Sequence, residues 1–240
     1  MHRPHGIRDV PRALAGVAVV LLAAAGPSAV AAATPAAGPA AGVAATAGPA
    51  AGVAATAGPS AGPPADRTDP RTETAELTIP SIGVTDLRVV PYEGTTDDGP
   101  GTRIQDRGVA ASPYGEEGGV GPGETGNYLV TAHRLSAGGP LRNLPALGKG
   151  DPVLVTEGGT VYEYRITEDR WTSFRSERSL AEQRAEVPGE PGEKPTRAMI
   201  TLSTCATPED DAAGNFWRDA HNNPEHRIDR IGVLVATRPA

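Results

Sequence analysis

Residues 198–205 read Ala-Met-Ile-Thr-Leu-Ser-Thr-Cys, a strand-like run that leads into the single cysteine of this 240-residue chain. Similar short runs, apolar or alternating and separated by Gly, Pro and Asp, recur from residue 76 onward. Seven or eight such strands with turn residues between them predict an all-β domain, either a closed barrel or a sandwich. Short helices are predicted only at residues 141–144 and 179–186. The remaining strand-like runs occupy residues 77–79, 87–90, 128–130, 153–155, 161–166 and 231–235.

The first 33 residues have the pattern of an export signal or an N-terminal membrane anchor. Arg3, Arg8 and Arg12 precede an uncharged apolar run at residues 13–25, and small residues follow as far as residue 33. A positive start, an apolar core and an Ala-x-Ala exit are typical of an export signal. The alternatives are an uncleaved anchor and, less in keeping with the pattern, a buried helix of the domain. Arginines before the run and none after it predict that the rest of the chain lies outside the cell.

Residues 34–75 are predicted to be a disordered tether, and residues 76–240 a single folded domain. The decapeptide at 40–49 is repeated at 50–59, and residues 34–65 carry no charge. Frequent prolines prevent a long helix, and the side chains are too small to build a core. The tether would hold the domain away from a membrane.

The composition excludes several classes of protein. One cysteine rules out an internal disulfide framework and a cysteine-based zinc cage. A formal net charge of −7 argues against a nucleic-acid binder held by phosphate contacts.

Two residues at strand ends could do chemistry together. Cys205 follows the predicted strand at 198–204, and His133 ends the strand-like run that starts at residue 127. A thiolate needs a basic or positively charged neighbour, which a histidine brought close by the fold supplies. Taken alone, a single cysteine is more often a small buried hydrophobe, and a single histidine is more often structural. The other four histidines precede the apolar run or lie in a polar loop: His2, His5, His221 and His226.

Two motifs and four ordered landmarks resemble the sortase family. Residues 201–205, Thr-Leu-Ser-Thr-Cys, resemble the strand-end Thr-Leu-x-Thr-Cys signature of sortases, and residues 126–134 resemble their Gly-Asn…Gly-His-Arg segment. The resemblance runs from about residue 76 to residue 237. The landmarks lie at residues 77–84, 92–95, 144–151 and 187–196, and the last of these is similar to the actinobacterial class E subgroup.

The resemblance implies a closed eight-stranded sortase-type β-barrel with one or two short helices and an active site at the rim. It implies a cysteine transpeptidase that cleaves the C-terminal sorting signal, of the Leu-Pro-x-Thr-Gly type, of exported proteins. Cys205 would hold the cleaved protein as a thioester, and His133 would first protonate the leaving amine and then deprotonate the incoming one. Neither a metal nor an organic cofactor is implied.

The resemblance also implies partners and a location. The substrates would be secreted proteins that carry a sorting signal, and the acceptor an amine of a cell-wall peptidoglycan precursor. The N-terminal segment would hold the enzyme at the cell membrane with its catalytic domain outside, unless cleavage releases it as a secreted protein.

A family arginine at the start of the last strand has two candidates here. Arg230 leads directly into the run at 231–235 and is favoured, while Arg227 lies three residues earlier. If both belong to one strand, they point to opposite faces, so only one reaches the cysteine unless a bulge intervenes. Ser203 and Thr204, within the cysteine motif, are expected to contact the substrate.

Three positions depart from the family pattern. Ala132 replaces the glycine before the histidine, and residues 108–113 stand where many relatives have a His-Tyr pair. The loop at 206–229 is long and is either a plain surface insertion or a flap over the substrate groove, anchored by Phe216 and Trp217.

Two other functions compete with the sortase interpretation. One is a non-enzymatic extracellular β-domain that binds a wall polymer or a partner protein, with Cys205 buried. The other is a hydrolytic cysteine peptidase of another fold, which the strand-rich pattern and the absence of papain-like surroundings of the cysteine disfavour.

Overall fold

The computed structural model describes residue 71 and residues 73–240. The predicted export segment at 1–33 and the tether up to residue 70 lie outside these residues. The first strand begins at Ala75, one residue before the predicted start of the domain. Among the described helices, none combines the length and the apolar character needed to cross a bilayer.

Eight strands close into a barrel, as the resemblance implied. Around the barrel they follow the order β1-β2-β3-β4-β7-β8-β6-β5, and β5 pairs back with β1. The pairs β2/β3 and β4/β7 are parallel, and the other neighbouring pairs are antiparallel. The strands are β1 (Ala75–Ile79), β2 (Val84–Glu93), β3 (Ala110–Tyr114), β4 (Gly126–Thr131), β5 (Pro152–Glu157), β6 (Thr160–Ser173), β7 (Ala198–Cys205) and β8 (His226–Pro239).

The helices are short and lie in the connections. Within the described residues they are α1 (Gly99–Gln105), α2 (Glu177–Arg184) and α3 (Thr207–Ala212), with 3₁₀ turns at Pro80–Ile82 and Leu144–Ala146. The prediction at 179–186 corresponds to α2, whereas the prediction at 141–144 overlaps only the start of the second 3₁₀ turn. Helices α1 and α3 were not predicted, because six or seven residues rich in Gly, Pro or acidic side chains carry no helical periodicity.

The core fills the barrel with apolar side chains from several strands. Strand β5 alternates between partly exposed and buried positions, as expected for a strand with one face in the core. All residues of β4 are buried, as are seven of the eight in β7, with Met199 partly exposed. Burial on both faces explains the apolar runs of these two strands. Cys205, the candidate nucleophile, is the last residue of β7 and therefore lies at the end of this deeply buried strand pair.

One strand and one strand boundary differ from the sequence prediction. Strand β3 was not predicted, because its sequence Ala-Ala-Ser-Pro-Tyr has neither alternation nor β-branched residues. Strand β8 begins at His226, so the long loop spans residues 206–225 and not 206–229. Residues 227–229 belong to the barrel because they pair with both β6 and β7, and His226 pairs with β6.

Candidate active site

Cys205 is the last residue of β7 and opens onto a cleft at one end of the barrel. Only 8% of the residue surface of Cys205 is exposed to solvent. The cleft has a volume of about 410 Å³, and His133 lines it together with Cys205. The thiol therefore faces a space large enough for a peptide segment, although little of its surface meets solvent.

The pairing of β4 with β7 brings His133 beside Cys205. The two strands run parallel in unbroken register from Gly126 opposite Ala198 to Thr131 opposite Ser203. Just beyond the ladder, the Ala132 amide donates to the carbonyl of Ser203 at 3.3 Å. Two residues beyond the ladder on each strand, His133 and Cys205 line the same cleft. Residues 72 apart in the sequence thus become neighbours at one strand end, as the two motifs predicted.

A carboxylate that the sequence reasoning missed contacts the histidine. His133 Nε2 lies 2.9 Å from Oδ1 of Asp106, the residue that follows α1. The histidine side chain is mostly buried, while that of Asp106 is 60% exposed. The contact orients the imidazole and leaves Nδ1 outside this hydrogen bond. No local pattern reveals it, because Asp106 lies 27 residues before His133.

The structure corrects the preference between the two arginines. Arg227, which pairs with Cys205 across β7 and β8, donates from Nη1 to the cysteine Sγ at 2.9 Å. Both arginines belong to β8, and no bulge lies between them. They therefore point to opposite faces, and Arg227 is the one that reaches the thiol.

Arg230 serves another purpose. Its Nε donates to the carbonyl of Leu147 and its Nη2 to the carbonyl of Pro145, both at 2.8 Å. It also lies 3.4 Å from the half-exposed carboxylate of Asp169. These contacts tie β8 to the 3₁₀ turn at Leu144–Ala146, so the expectation that Arg230 lies beside the cysteine is wrong.

The guanidinium of Arg227 is enclosed on several sides. Its Nη2 donates to Oδ1 of Asp97, and Asn223 Oδ1 lies 3.4 Å from the same nitrogen. The ring of Phe174 lies 5.0 Å from the guanidinium carbon, a cation–π distance. Burial lowers the pKa of Arg227 to about 10, and the carboxylate of Asp229 opposes that shift. The arginine therefore stays charged at neutral pH.

The resting nucleophile is a thiol. Burial, followed by the nearby charge of Asp219, raises the pKa of Cys205 to about 12. The charges of Arg134 and Arg218 act in the opposite direction, and a donor on Sγ such as Arg227 also favours the thiolate. Cys205 therefore needs a base at the moment of attack, and His133 is the group beside it that can accept the proton.

A family model and several relatives match this chain. The model described as the Sortase domain matches residues 77–221, more than half of the chain. This chain belongs to the sortase family. Sortase SrtE1 of Streptomyces coelicolor is 30% identical over 145 residues, which are 59% of this chain and 38% of that protein. This sortase thus spans well under half the length of that curated relative.

Solved structures resemble this sortase in fold. The structure of sortase E from Streptomyces avermitilis is 26% identical with a TM-score of 0.50, and the match covers 72% of this chain and 93% of that one. The SrtA sortase from Actinomyces oris is 21% identical with a TM-score of 0.53, covering 70% and 82% of the two chains. The similarities to SrtE1 and sortase E make this sortase class E-like. Sortases as a family are cysteine transpeptidases.

Two residues of the cysteine motif do not line the cleft of this sortase. Ser203 and Thr204 are almost completely buried. Thr204 Oγ1 donates to the carbonyl of Ala132 at 2.8 Å, and Ser203 Oγ accepts from Gln183 Nε2 at 3.2 Å. Both hydroxyls are engaged inside the protein and neither faces the cleft, so contact of these two residues with substrate stays a prediction. They hold β7 in place next to β4 and α2.

Arg134, next to the histidine, fixes the backbone of the nucleophile. It forms two hydrogen bonds to the carboxylate of Glu209 at 3.0 and 3.1 Å and donates to the carbonyl of Cys205 at 3.3 Å. Its Nε donates to the carbonyl of Arg142 at 2.7 Å. Such a bidentate arginine–carboxylate pair holds α3 against the end of β7.

The loop at 206–225 forms one wall of the cleft. Thr207, Arg218 and residues 221–224 line the cleft with the catalytic candidates. Phe216, expected to anchor the loop, is 71% exposed and contributes no anchor. Hydrogen bonds hold the loop instead, including Arg218 to Asp211 at 2.6 Å. Whether the loop moves as a flap stays a prediction.

The described residues offer no obvious metal site. Nowhere between residues 73 and 240 do three His, Cys, Asp or Glu side chains gather closely enough to hold an ion. The thiol and the imidazole line the cleft, and the buried guanidinium of Arg227 contacts the thiol, so the groups needed for nucleophilic acyl transfer lie together.

Proposed function

We propose that this sortase is a transpeptidase that cleaves a C-terminal sorting signal of exported proteins and joins them to a cell-wall amine. The observation that carries the proposal is the meeting of Cys205 with His133 and Arg227 at one strand end. Membership of the sortase family supports the general class of reaction. The Leu-Pro-x-Thr-Gly type of signal and the peptidoglycan precursor rest on the family resemblance.

The first half of the reaction forms a thioester. The Cys205 sulfur attacks the threonine carbonyl of the signal while its proton passes to His133. The C–S bond forms, the C–N bond to the following glycine breaks, and His133 returns the proton to the leaving amine. This order suits a thiol whose pKa is raised, because sulfur and histidine exchange the proton as attack proceeds.

The second half transfers the acyl group to an amine. His133 takes a proton from the incoming amine, which attacks the thioester carbonyl and breaks the C–S bond, and His133 then returns that proton to the departing Cys205 sulfur. Since a thioester is more reactive than an amide, the cleaved bond's energy is retained for the new amide. The restricted exposure of Cys205 within the cleft favours transfer over hydrolysis by keeping bulk water away.

Arg227 is the proposed donor to the developing oxyanion. Its Nη1 lies 2.9 Å from the attacking sulfur, so a carbonyl carbon bonded to that sulfur would hold its oxygen near the same nitrogen. A charged donor placed in a partly dry site stabilises the tetrahedral intermediate more than water does.

The location at the outer membrane face is likewise part of the proposal. Three arginines followed by an apolar run, an uncharged tether and then the barrel suit an enzyme held outside the cell. Both protein substrates and cell-wall precursors are presented there, so the tether would let the catalytic domain reach them.

A mass measurement on intact protein tests the proposal. Incubation with peptides of the Leu-Pro-x-Thr-Gly type should add the mass of the acyl fragment to Cys205, and a glycine-based amine should then release it as a new amide. Cys205→Ala should show neither step. His133→Ala should form the adduct about 10²–10⁴-fold more slowly.

A binding domain without activity would behave differently. The burial of Cys205 is the observation that favours it. In that case no peptide would give an adduct at Cys205, under conditions where iodoacetamide still alkylates the thiol of the folded protein slowly.

A further inference from the structure

The guanidinium beside the nucleophile is held by an aspartate from a distant segment. Asp97 lies between β2 and α1, and its Oδ1 accepts from Nη2 of Arg227 across 130 residues of sequence. The Arg227 and Asp97 side chains are 2% and 1% exposed. An ion pair this dry is expensive to build, so its presence beside the thiol calls for an explanation beyond stability.

The backbone around Asp97 is constrained so as to present this carboxylate. Asp97 has a φ of +67°, in the left-handed region that residues other than glycine seldom adopt. The preceding Thr96 donates to Gln183 Oε1 at 3.0 Å and accepts from Arg184 Nε at 2.9 Å. The following Asp98 caps α1 by accepting from the amide of Gly101 at 2.7 Å. Residues on both sides thus fix the position of Asp97.

Asp97 and Arg227 do not form the two-bond contact that is strongest for such a pair, and this leaves Nη1 of Arg227 on the sulfur of Cys205. The strongest arginine–carboxylate contact uses two parallel N–H···O bonds. Here Oδ2 of Asp97 and Nε of Arg227 are both buried without a hydrogen-bond partner among the described residues. Asp97 instead holds Nη2, so that Nη1 remains on Cys205 Sγ with a second N–H to spare.

The other buried carboxylate near Arg227 does not take this place. Asp229, two residues along β8, accepts from Thr172 at 2.6 Å and from Gln183 at 3.1 and 3.2 Å. Its oxygens are therefore engaged on the side of α2 and β6. Asp97 is the carboxylate in direct contact with the guanidinium.

We propose that Asp97 is a positioning residue that holds Arg227 so that its Nη1 remains on Cys205. The inference rests on the proposed function in one respect, since Arg227 is taken as the donor to the oxyanion. The connection between β2 and β3, through Asp97, thereby determines the orientation of the Arg227 guanidinium relative to Cys205.

Two substitutions separate the carboxylate from its backbone. Asp97→Gly removes the side chain and keeps the left-handed conformation, which glycine adopts without strain. Asp97→Asn keeps an acceptor for Nη2 and tolerates the same conformation. Thr95→Ala is the matched control, because its buried hydroxyl has no partner among the described residues and it does not contact Arg227. Each variant is assayed as full chain at a temperature where circular dichroism shows it folded.

The expected result is a loss in kcat that only the acceptor rescues. Asp97→Gly should lower kcat about 10–100-fold, below the roughly 10²–10³-fold effect of removing an oxyanion donor outright. Asp97→Asn should stay within about fivefold of the parent, and Thr95→Ala within about twofold. A folded Asp97→Gly protein with the parent's kcat would overturn the proposal, as would an Asn variant no better than Gly.

A double-mutant cycle tests whether Asp97 acts through the arginine. Combined with Arg227→Ala, the glycine substitution should change kcat by less than about twofold, because its target is gone. If Asp97 had only a structural role, Asp97→Gly would lower the unfolding midpoint, and its loss in kcat would multiply with that of Arg227→Ala in the double variant. That result would refute positioning by Asp97. Arg227→Ala alone leaves the Asp97 carboxylate buried and unpaired, which the double variant avoids, so circular dichroism must show that the Arg227→Ala protein is folded before its kcat enters the cycle.

Alkylation of Cys205 keeps the inference separate from the proposed function. If no peptide is turned over, the transpeptidase proposal fails, but iodoacetamide still reports the environment of the thiol. Asp97→Gly and Arg227→Ala should both slow alkylation at mildly alkaline pH, and the double variant should match Arg227→Ala. Faster alkylation of Asp97→Gly would mean that Arg227 stays on the sulfur unaided, which contradicts positioning by Asp97.

Discussion

The raised pKa of Cys205 makes a quantitative prediction about its reactivity. Burial is the main cause of the shift to about 12, and the Asp219 charge adds to it. A free cysteine has a pKa of about 8.5, so at neutral pH the thiolate fraction of Cys205 is lower by a factor of roughly 10³. A more basic thiolate is also a better nucleophile, with a Brønsted slope of about 0.4–0.5, which recovers part of the loss. The net expectation is alkylation about a hundredfold slower than that of free cysteine.

Pseudo-first-order alkylation by iodoacetamide over a series of pH values measures this directly. The rate should rise about tenfold per pH unit from neutral pH upward without a plateau before about pH 10, because the group is still a thiol throughout. Limited access to Cys205 lowers the absolute rate but leaves this slope unchanged, so the slope isolates the pKa. A free-cysteine peptide and Cys205→Ser serve as reference and blank.

The opposite outcome is equally clear. A plateau near pH 8 or below, in folded protein, would mean that the thiolate is already formed at neutral pH. The resting thiol and the transfer of its proton to His133 during attack would then both be wrong. Asp219→Asn should move the profile toward lower pH, since it removes a charge that raises the pKa.

Other predictions follow from individual contacts. Arg227→Ala should lower turnover by about 10²–10³-fold. Arg230→Ala should lower the unfolding midpoint and leave kcat of the folded enzyme within about threefold, because Arg230 binds carbonyls away from the thiol. Equal losses of peptide turnover in the two variants would contradict the assignment of Arg227 as the donor. Asp106→Asn should reduce turnover less than about fivefold, because a contact between His133 and a carboxylate that is 60% exposed is screened by water and is worth at most about 1 kcal/mol. Burial, with two nearby glutamates, raises the pKa of Glu157 to about 7, so the folded protein binds this proton more tightly than the unfolded chain and loses stability as pH rises from about 4.5 to about 7. The difference in free energy of unfolding between Glu157→Gln and the parent protein should therefore be about 1–3 kcal/mol more favourable to the variant at pH 8 than at pH 4, as measured by urea titration. An equal difference at both pH values would disprove the assignment.

Local sequence determined a large part of this protein. Alternating apolar runs with turn residues between them predicted strands that form an all-β domain, because side-chain period and turn chemistry are properties of neighbouring residues. The motifs at residues 126–134 and 201–205 pointed to His133 and Cys205 and to the family. Strand β3 escaped because its small residues carry no pattern and become a strand only by pairing with β2.

Only the tertiary structure decided which groups surround the thiol. Arg227 and Arg230 lie in similar local sequence, and the choice between them depended on where β8 starts pairing with β7, since a strand alternates its faces. Asp97 and Asp106 contact Arg227 and His133 over separations of 130 and 27 residues, which no local periodicity records. Ser203 and Thr204 looked available in the motif, yet they are buried because β4 and α2 pack over them. Long-range strand pairing brings these residues together, and the register of that pairing is a property of the closed barrel as a whole.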